Sequence, residues 1–353
     1  MSAPDRPGPP RPGEELDPAR LGEYLATRLG RAEPVVVEQF PAGHSNLTYQ
    51  VRVGATSYVL RRPPFGNRVR TAHDMAREFR VLSALAPVFP PAPKPLLLCE
   101  DESVLGAPFY LMERRHGLVI RKELPRELKD RPDTLARICD SLVSTLARLH
   151  EIDPVAVGLA DLGRPEGYVE RQVRGWTQRY HAAATEHLPD MEAAARWLAE
   201  QLPADPGASI IHNDFKLDNV ILDADDPTRV VAVLDWEMAT LGHPLMDLGS
   251  SLAYWVEPDD PAPLRRLGWW PTAEPGMWPR REVARRYFEA RGMAPVALGF
   301  YFVFGLFKLA VIIQQIYARY RRGATSDARF AEMNRMVAVL ANRAVQVAHD
   351  PGI

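Results

Sequence analysis

Residues 210–223, IIHNDFKLDNVILD, place a polar loop between two short apolar runs. Two aspartates and two asparagines follow His212 within seven positions, and apolar residues resume at Val220. Unpaired backbone polar groups are costly in buried surroundings. A chain that only had to pack would therefore not be expected to thread such a loop between two buried strands, and the polar side chains indicate chemistry.

Two of these side chains have the spacing of a kinase catalytic loop. Asp214 precedes Asn219 by five residues, in the pattern H-x-D-x-x-x-x-N. Phosphoryl transfer needs a carboxylate that orients and deprotonates the attacking hydroxyl, and oxygen ligands that hold magnesium on the phosphates. A neutral amide such as that of Asn219 ligates the metal without adding charge repulsion towards the phosphates. The spacing therefore favours phosphotransfer.

A second acidic position lies 21 residues after Asp214, in the stretch VVAVLDWE. The β-branched run ends at Asp235, where a strand would deliver a second metal ligand. The turn DADDPT joins VILD to RVVAVL as a predicted hairpin. An aspartate after a histidine also caps turns in proteins without any catalytic role, but the strand, loop and hairpin around this one favour the catalytic interpretation.

The surrounding sequence predicts an α+β fold with a small sheet region followed by a long helical one. The predicted strands are 35–40, 47–53, 57–61, 94–100 and 108–114, and the predicted helices are 71–86, with Thr71 as N-cap, and 133–150. Three segments follow: a disordered proline-rich tail at 1–18, a nucleotide-binding N-lobe at 19–113 and a helical C-lobe at 114–353.

Composition narrows the function classes. The chain has 353 residues, is 46% hydrophobic and has a net charge of -2, so nucleic-acid binding is not expected. Two cysteines 40 positions apart suit a reducing cytoplasm and exclude a cysteine-built zinc site. Lys308, Gln314 and Gln315 interrupt the apolar stretch 299–317, which therefore predicts a buried core helix rather than a membrane span.

The stretches IIHNDFKLDNVILD and VVAVLDWEMATLGHPLMDLG resemble the aminoglycoside phosphotransferase-like, or choline kinase-like, branch of the protein kinase fold. GHSNLTYQV, YVLRRPP, REFRVLSAL and CEDESVLGAPFYLME are similar to the kinase-like domain fused to some acyl-CoA dehydrogenases and to its free-standing bacterial relatives. The resemblance covers roughly residues 20–345. It implies a two-lobed kinase-like fold and an ATP- and magnesium-dependent phosphotransferase, with a possible functional link to an acyl-CoA dehydrogenase.

The resemblance also implies roles for individual residues. Asp214 would be the catalytic base, and Asn219 and Asp235 would hold Mg²⁺. Glu78 would pair with Arg61, at the position where protein kinases place a lysine. Arginine keeps the charge and offers a planar fork to phosphate oxygens; the alternative for Arg61 is an ordinary surface arginine at a strand end.

Two further segments would contact ATP. A loop between the first two strands would cover the phosphates through its backbone amides, and a connector would meet the adenine; their residues are Gly43, His44, Ser45 and Asn46, and Glu113 with Arg115. Two positions depart from the family pattern. Asn213 stands where glycine is common, and His243 stands where an acidic residue is usual.

The acceptor is the open question. Residues 262–353 carry 14 Lys or Arg and 6 Asp or Glu, a balance of +8, whereas residues 1–261 carry a balance of -10. The basic surplus favours an anionic hydroxyl-bearing acceptor such as a hydroxyacyl-CoA over a cationic aminoglycoside. A nucleotide-binding pseudokinase is the third alternative, although it would have no chemical need for Asp214, Asn219 and Asp235 together.

Overall fold

A computed structural model describes residues 6–30, 32–41, 46–65, 74–204, 207–267, 270–323 and 327–350. Its contacts divide the chain into two units. Unit 1 comprises Met1–Val119 and Asp218–Ala239, and unit 2 comprises Ile120–Leu217 and Thr240–Ile353. The predicted boundary near residue 113 lies close to the first of these divisions, but residues 218–239, which we assigned to the C-lobe, pack with unit 1.

The strands are β1 Val35–Gln39, β2 Leu47–Val53, β3 Thr56–Arg62, β4 Pro95–Cys99, β5 Phe109–Glu113, β6 Ser209–Ile211, β7 Val220–Leu222, β8 Val230–Val233 and β9 Thr240–Gly242. The helices are α1 Pro18–Leu29, α2 Met75–Leu85, α3 Glu102–Leu105, α4 Pro132–Glu151, α5 Tyr168–Ala183, α6 Pro189–Glu200, α7 Pro244–Ala253, α8 Ala262–Arg265, α9 Arg280–Ala290, α10 Gly299–Arg321 and α11 Met333–His349.

Unit 1 is built on an antiparallel sheet of five strands in the order β1-β2-β3-β5-β4. In β2, Leu47, Tyr49, Val51 and Val53 are buried and alternate with more polar positions, because successive side chains of a strand point to opposite faces. All five predicted strands are present, and each observed strand begins and ends within one residue of its prediction.

The N-terminal segment before α1 packs on this sheet. The backbones of Gly8 and Gln39 exchange two hydrogen bonds, and the Tyr49 hydroxyl donates to the carbonyl of Glu14 at 2.6 Å. Leu16 is buried in the unit 1 core. The prediction of a disordered tail at 1–18 is therefore wrong for residues 8–17. The proline-rich composition suggested disorder, but the segment contributes a buried leucine and pairs its backbone with the edge of the sheet.

Helix α2 begins later than predicted. Asp74 is its N-cap, and the Asp74 carboxylate accepts a hydrogen bond from the N–H of Arg77 at 2.9 Å. Thr71, the predicted cap, lies outside the described residues. The helix buries Met75, Glu78, Val81, Leu82 and Leu85, so its stripe includes one carboxylate.

Strands β7 and β8 form the predicted hairpin in unit 1, with Val220 paired to Val233. The Asp223 side chain accepts hydrogen bonds from the backbone N–H groups of Asp225 and Asp226 in the connecting turn. At the open end, the N–H of Leu234 donates to the carbonyl of Asn219 at 2.8 Å. The hairpin therefore brings the backbone next to Asp235 against Asn219.

Helix α10 is the core helix of unit 2, where it packs against α5, α6, α7 and α11. It is long and apolar enough to cross a membrane by length and composition, but most of it is buried inside the fold, including Lys308 and Gln314. Its crossing with α7 is very close. A Cβ added at Gly305 would lie 2.3 Å from the carbonyl oxygen of Gly249, so glycine is needed at that position.

Candidate active site

Asp214 lies in unit 2, in the loop that follows β6. The Lys216 ammonium is 3.0 Å from Asp214 Oδ2, and the Tyr254 hydroxyl is 3.5 Å from Asp214 Oδ1. The N–H of Asp214 donates to His212 Nδ1 at 3.2 Å. The Asp214 side chain is 19% exposed, so it is accessible and has a cation beside it. A positioned carboxylate of this kind suits a group that orients a hydroxyl.

The backbone of the loop is fixed by Asp247 of α7. The Asp247 carboxylate accepts hydrogen bonds from the N–H groups of His212 at 2.7 Å and of Asn213 at 2.8 Å, and it lies 3.1 Å from His150 Nε2. Burial by itself raises the pKa of Asp247, but the contacts with His150 and His212 outweigh burial and lower that pKa below its ordinary 3.8. Asp247 is therefore buried and charged, and it holds the backbone of the loop around Asp214; we call these contacts the Asp247 clamp.

His150 is the neutral partner in this clamp. Its ring lies between Asp247 and the Tyr287 hydroxyl, which is 2.7 Å from Nδ1. Burial lowers the pKa of His150 below its ordinary 6.5 and outweighs the opposing effect of Asp247. The imidazole therefore holds Asp247 by hydrogen bonding rather than as a cation.

Asn213 has a left-handed backbone, with φ 66°. Few residues other than glycine adopt this region, although asparagine tolerates it, which explains the departure from the glycine pattern. The Lys308 ammonium donates to the Asn213 carbonyl at 2.7 Å, and the Tyr168 hydroxyl donates to Asn213 Oδ1 at 3.2 Å. Burial lowers the pKa of Lys308, while nearby Asp214 and Asp247 oppose that effect.

Unit 1 contains a buried charge cluster around Arg61. Arg61 Nη1 lies 3.0 Å from Glu78 Oε1, and Arg61 Nη2 lies 2.9 Å from Asp235 Oδ1. Only 7% of Arg61 is exposed, so the alternative of an ordinary surface arginine is excluded. Burial opposes the charge, but Glu78 and Asp235 overcome it and raise the pKa of Arg61 well above its usual value. The predicted Arg61–Glu78 pair is present.

Asp235 is, after Asn213, the second non-glycine residue in the described part of the chain with a left-handed backbone, with φ 67°. Such strain costs of order 1–3 kcal/mol and is concentrated at functional sites. Asp235 is about one-third exposed, and across the hairpin end lies Asn219. One carboxylate and one amide oxygen fit Mg²⁺, which prefers oxygen ligands and usually completes its shell with phosphates and water. Among the described residues, no group of three or more His, Cys, Asp or Glu offers a protein-built metal cage.

The predicted ATP-contacting residues are only partly described. Gly43, His44 and Ser45 lie outside the described residues. Asn46 is buried and donates to Glu237 Oε2 at 2.7 Å, and that carboxylate is 3.7 Å from Arg61, so Asn46 joins the Arg61 cluster.

The connector residues are held against the sheet. Glu113 Oε1 accepts hydrogen bonds from the N–H of Lys94 at 2.7 Å and from Arg115 Nε at 2.8 Å. The N–H of Glu113 donates to the Lys94 carbonyl at 2.9 Å. The Glu113 side chain and N–H therefore position the connector.

His212 and His243 both make packing and hydrogen-bonding contacts inside unit 2. His212 is fully buried and packs edge-on against Phe215 at 6.2 Å. His243 is the N-cap of α7: its Nδ1 accepts from the N–H of Leu245 at 3.1 Å, and its Nε2 is 3.1 Å from the Tyr301 hydroxyl. This pattern assigns the His243 proton to Nε2. His243 therefore caps a helix.

Sequence reasoning missed several residues that hold Asp214. Lys216 lies inside the quoted loop, and its position two residues after Asp214 was a usable signal. The other residues come from three helices: His150 from α4, Asp247 and the C-cap Tyr254 from α7, and Lys308 from α10. In the sequence, Lys308 stands out only as a charged residue that interrupts an apolar stretch. Its buried position on a core helix was the available sign that it needs a partner.

Residues 36–283 match the family described as the phosphotransferase enzyme family. The chain belongs to that family. Among its relatives, acyl-CoA dehydrogenase family member 11 from Rattus norvegicus is 37% identical over 325 residues. That alignment covers 90% of this chain and 41% of the relative. The chain thus spans less than half of that relative's length.

Solved structures give the same result for the fold. A Ralstonia eutropha protein named as a candidate aminoglycoside phosphotransferase is 33% identical, with a TM-score of 0.80 over 95% of this chain and 99% of that one. A thermostable mutant of aminoglycoside phosphotransferase APH(4)-Ia, in a ternary complex with AMP-PNP and hygromycin B, is 18% identical, with a TM-score of 0.62 over 94% and 99%. The predicted kinase-like α+β fold and the class of phosphotransferase acting on an alcohol group are confirmed.

Proposed function

We propose that this phosphotransferase moves the γ-phosphoryl group of ATP, with magnesium, onto a hydroxyl of an anionic acceptor, a hydroxyacyl-CoA. Asp214 orients the hydroxyl and accepts its proton. Arg61, held by Glu78, provides positive charge for the phosphates, and Asn219 and Asp235 hold Mg²⁺. When bound, the metal neutralises charge that develops on the transferred group.

The observation that carries the choice of acceptor is an arginine-lined groove of unit 2. The groove has a volume of about 390 Å³ and lies between α5 and α10, with Arg179, Arg319 and Arg322 among its lining residues. Arg179 and Arg319 are exposed. Three guanidinium groups around one concave surface suit phosphate groups, which accept bidentate hydrogen bonds from arginine, and oppose a polycation.

Most other arginines of the basic C-terminal third have different roles. Arg280 is buried against Glu257 and Asp260, and Arg285 pairs with Glu282 within its own helix. The positive charge of residues 262–353 therefore does not form one continuous anion-binding surface. The groove is the part of that surplus that supports an anionic acceptor.

Helix α10 connects the groove to the catalytic loop. Lys308, which contacts Asn213 next to Asp214, and Arg319 are eleven residues apart on this helix, on the order of 16 Å along its axis. An acceptor held by phosphates in the groove needs an extended arm to bring a hydroxyl to Asp214. A CoA thioester has such an arm between its phosphates and its acyl group, which supports this class.

The similarity to acyl-CoA dehydrogenase family member 11 adds independent support, because the name of that protein associates it with acyl-CoA. A functional link to an acyl-CoA dehydrogenase is part of the proposal, as is a reducing cytoplasmic location consistent with the two buried free cysteines, Cys99 and Cys139.

The direct experiment is an acceptor panel. Purified protein is incubated with Mg-ATP and with 3- and 4-hydroxyacyl-CoAs, the free hydroxy acids, kanamycin, choline or homoserine, and ADP release is measured. Phosphorylation of the thioesters, with poor turnover of the free acids, is the expected result, since binding energy from the remote CoA positions the hydroxyl. Preferential phosphorylation of kanamycin would establish the aminoglycoside alternative. Bound ATP with no acceptor of the panel turned over would favour the pseudokinase alternative.

The groove has a matched control. Arg319→Glu should raise the KM for a hydroxyacyl-CoA at least tenfold and leave the KM for ATP unchanged, because it reverses one of the three groove charges. Arg335→Glu changes another exposed arginine, on α11, that does not line the groove, and it should change neither value. Equal effects of the two variants would contradict the groove as the acceptor site.

A further inference from the structure

An apolar cavity lies beside Asp214, within unit 2. Its volume is about 40 Å³, and its lining is made mainly of aliphatic and aromatic side chains from α4 and α7 and from the segments around Phe215 and Trp270. Leu142 and Leu252, which line it, are nearly or fully buried. The hydrophobic lining indicates a site that excludes charged ligand groups.

One side of the cavity is shared with the catalytic carboxylate. Lys216 and Tyr254 both line the cavity, and both contact Asp214, at 3.0 Å and 3.5 Å. The Tyr254 and Trp270 rings pack edge to face at 4.6 Å, and the Lys216 ammonium lies over both rings, at 5.2 Å and 5.9 Å from their centroids. A molecule with its hydroxyl at Asp214 therefore has the cavity directly beside it.

The hydroxyl groups in the lining already have partners. The Ser251 hydroxyl donates to the Asp247 carbonyl at 3.1 Å, and the Thr272 hydroxyl donates to the Val256 carbonyl at 2.9 Å. A polar ligand group placed there would lose its hydration without gaining these groups as partners. The cavity thus suits an alkyl group.

We propose that this cavity binds the alkyl segment of the acceptor that extends beyond the phosphorylated hydroxyl, on the side away from CoA. The inference rests on the proposed hydroxyacyl-CoA function and adds a limit on chain length. A cavity needs at least roughly 10–15 Å³ to hold one water molecule, so a cavity of about 40 Å³ accepts at most about three non-hydrogen atoms. The cavity therefore selects acceptors with short alkyl tails.

The test uses the full chain and a series of 4-hydroxyacyl-CoAs that differ only in the number of carbons beyond the hydroxyl. In the unmodified protein, kcat/KM should rise about fourfold for each added carbon up to about three, and fall beyond that length. Leu142→Ala enlarges the cavity and should shift the optimum to longer tails. Leu142→Phe fills it and should shift the optimum to shorter tails.

Leu135→Ala is the matched control. Leu135 is fully buried on the same helix, α4, and does not line the cavity. This variant should lose stability as Leu142→Ala does, without any shift of the optimal tail length. A flat dependence of kcat/KM on tail length in the unmodified protein, or the same optimum in all variants, would overturn the inference.

A binding measurement separates failure of this inference from failure of the proposed function. Trp255 and Trp270 line the cavity, so short alkanols, from propanol to pentanol, are titrated while tryptophan fluorescence is recorded. A saturable change that is lost in Leu142→Phe supports the cavity as an alkyl site even if no hydroxyacyl-CoA is phosphorylated. The absence of a saturable change in the unmodified protein overturns it, whatever acceptor is phosphorylated.

Discussion

The Lys308 ammonium lies 2.7 Å from the carbonyl oxygen of Asn213, the residue before Asp214. Lys308 is on the buried helix α10, and Asn213 has a left-handed backbone. A lysine is seldom buried unless it has a partner. The contact therefore places the Lys308 amine on the backbone next to Asp214, and we infer that Lys308 is a positioning residue.

Lys308→Met should remove this contact and leave a buried carbonyl unsatisfied. We expect kcat to fall by roughly ten- to a hundredfold through misplacement of Asp214, with an unchanged KM for ATP. Lys308→Gln, which keeps an N–H donor, should recover part of the lost kcat. Steady-state kinetics of both variants check the prediction, and a loss confined to thermal stability would show that Lys308 has only a structural role.

Arg61→Lys tests whether ATP binding needs the two separate nitrogens of the guanidinium group or only its positive charge. Arg61 contacts Glu78 and Asp235 through different nitrogens, and a single ammonium does not reproduce that geometry. Loss of one charge-assisted hydrogen bond, about 1.5 kcal/mol, should weaken ATP binding by roughly tenfold in calorimetry. Arg62→Lys changes the neighbouring buried arginine, which contacts Leu105, and should leave ATP affinity unaltered.

The clamp between His150 and Asp247 makes stability depend on pH. The pKa of His150 is lower in the folded protein than its ordinary 6.5, so below about pH 6.5 the unfolded chain binds a proton that the folded chain does not. The pKa of Asp247 is also lowered, so its contribution is present above about 3.8 and is lost as pH falls through the lowered value. The free energy of unfolding should therefore fall on acidification, first through His150.

Denaturant titrations between about pH 7 and pH 5 measure this dependence. His150→Gln retains hydrogen-bonding groups without a titrating ring and should flatten the dependence. His187→Gln replaces an exposed histidine and should leave it unchanged. The same slope in all three proteins would contradict a neutral, buried His150.

Asp235→Ala should separate metal binding from the rest of the site. The substitution removes a carboxylate that is proposed to hold Mg²⁺ and that also contacts Arg61. The affinity for Mg-ATP in calorimetry should fall sharply, and the dependence of ATP binding on magnesium should be lost. Asp223→Ala, in the turn of the same hairpin, is the control. Unchanged affinity for Mg-ATP would make Asp235 only a strand-end residue.

Local patterns were sufficient for the strands of unit 1, and the family resemblance supplied the candidate roles of the site residues. Alternation placed Arg61 on β3, helical periodicity placed Glu78 on α2, and the structure brings the two side chains to 3.0 Å. The loop spacing singled out Asp214 as a candidate, and the hairpin that precedes Asp235 is present as predicted. Each of these features depends on residues close in sequence, where pattern and geometry are directly related.

The contacts that hold the loop around Asp214 could not be predicted, because they join residues far apart in sequence. Asp247 contacts His150 across 97 positions, and Lys308 contacts Asn213 across 95. No local pattern specifies such a pairing. The prediction of a disordered N-terminal tail was wrong for a related reason. The segment is ordered by contacts with β1 and β2, which its own composition does not reveal.

The most direct test of the proposed mechanism is a comparison of Asp214→Asn with the unmodified protein in phosphorylation of a 4-hydroxyacyl-CoA, with the phosphorylated product quantified by mass spectrometry. Asparagine keeps the size of the side chain but does not accept the hydroxyl proton. We predict an intact affinity for Mg-ATP and a turnover lower by roughly two to four orders of magnitude. Turnover equal to that of the unmodified protein would contradict the assignment of Asp214 as the catalytic base.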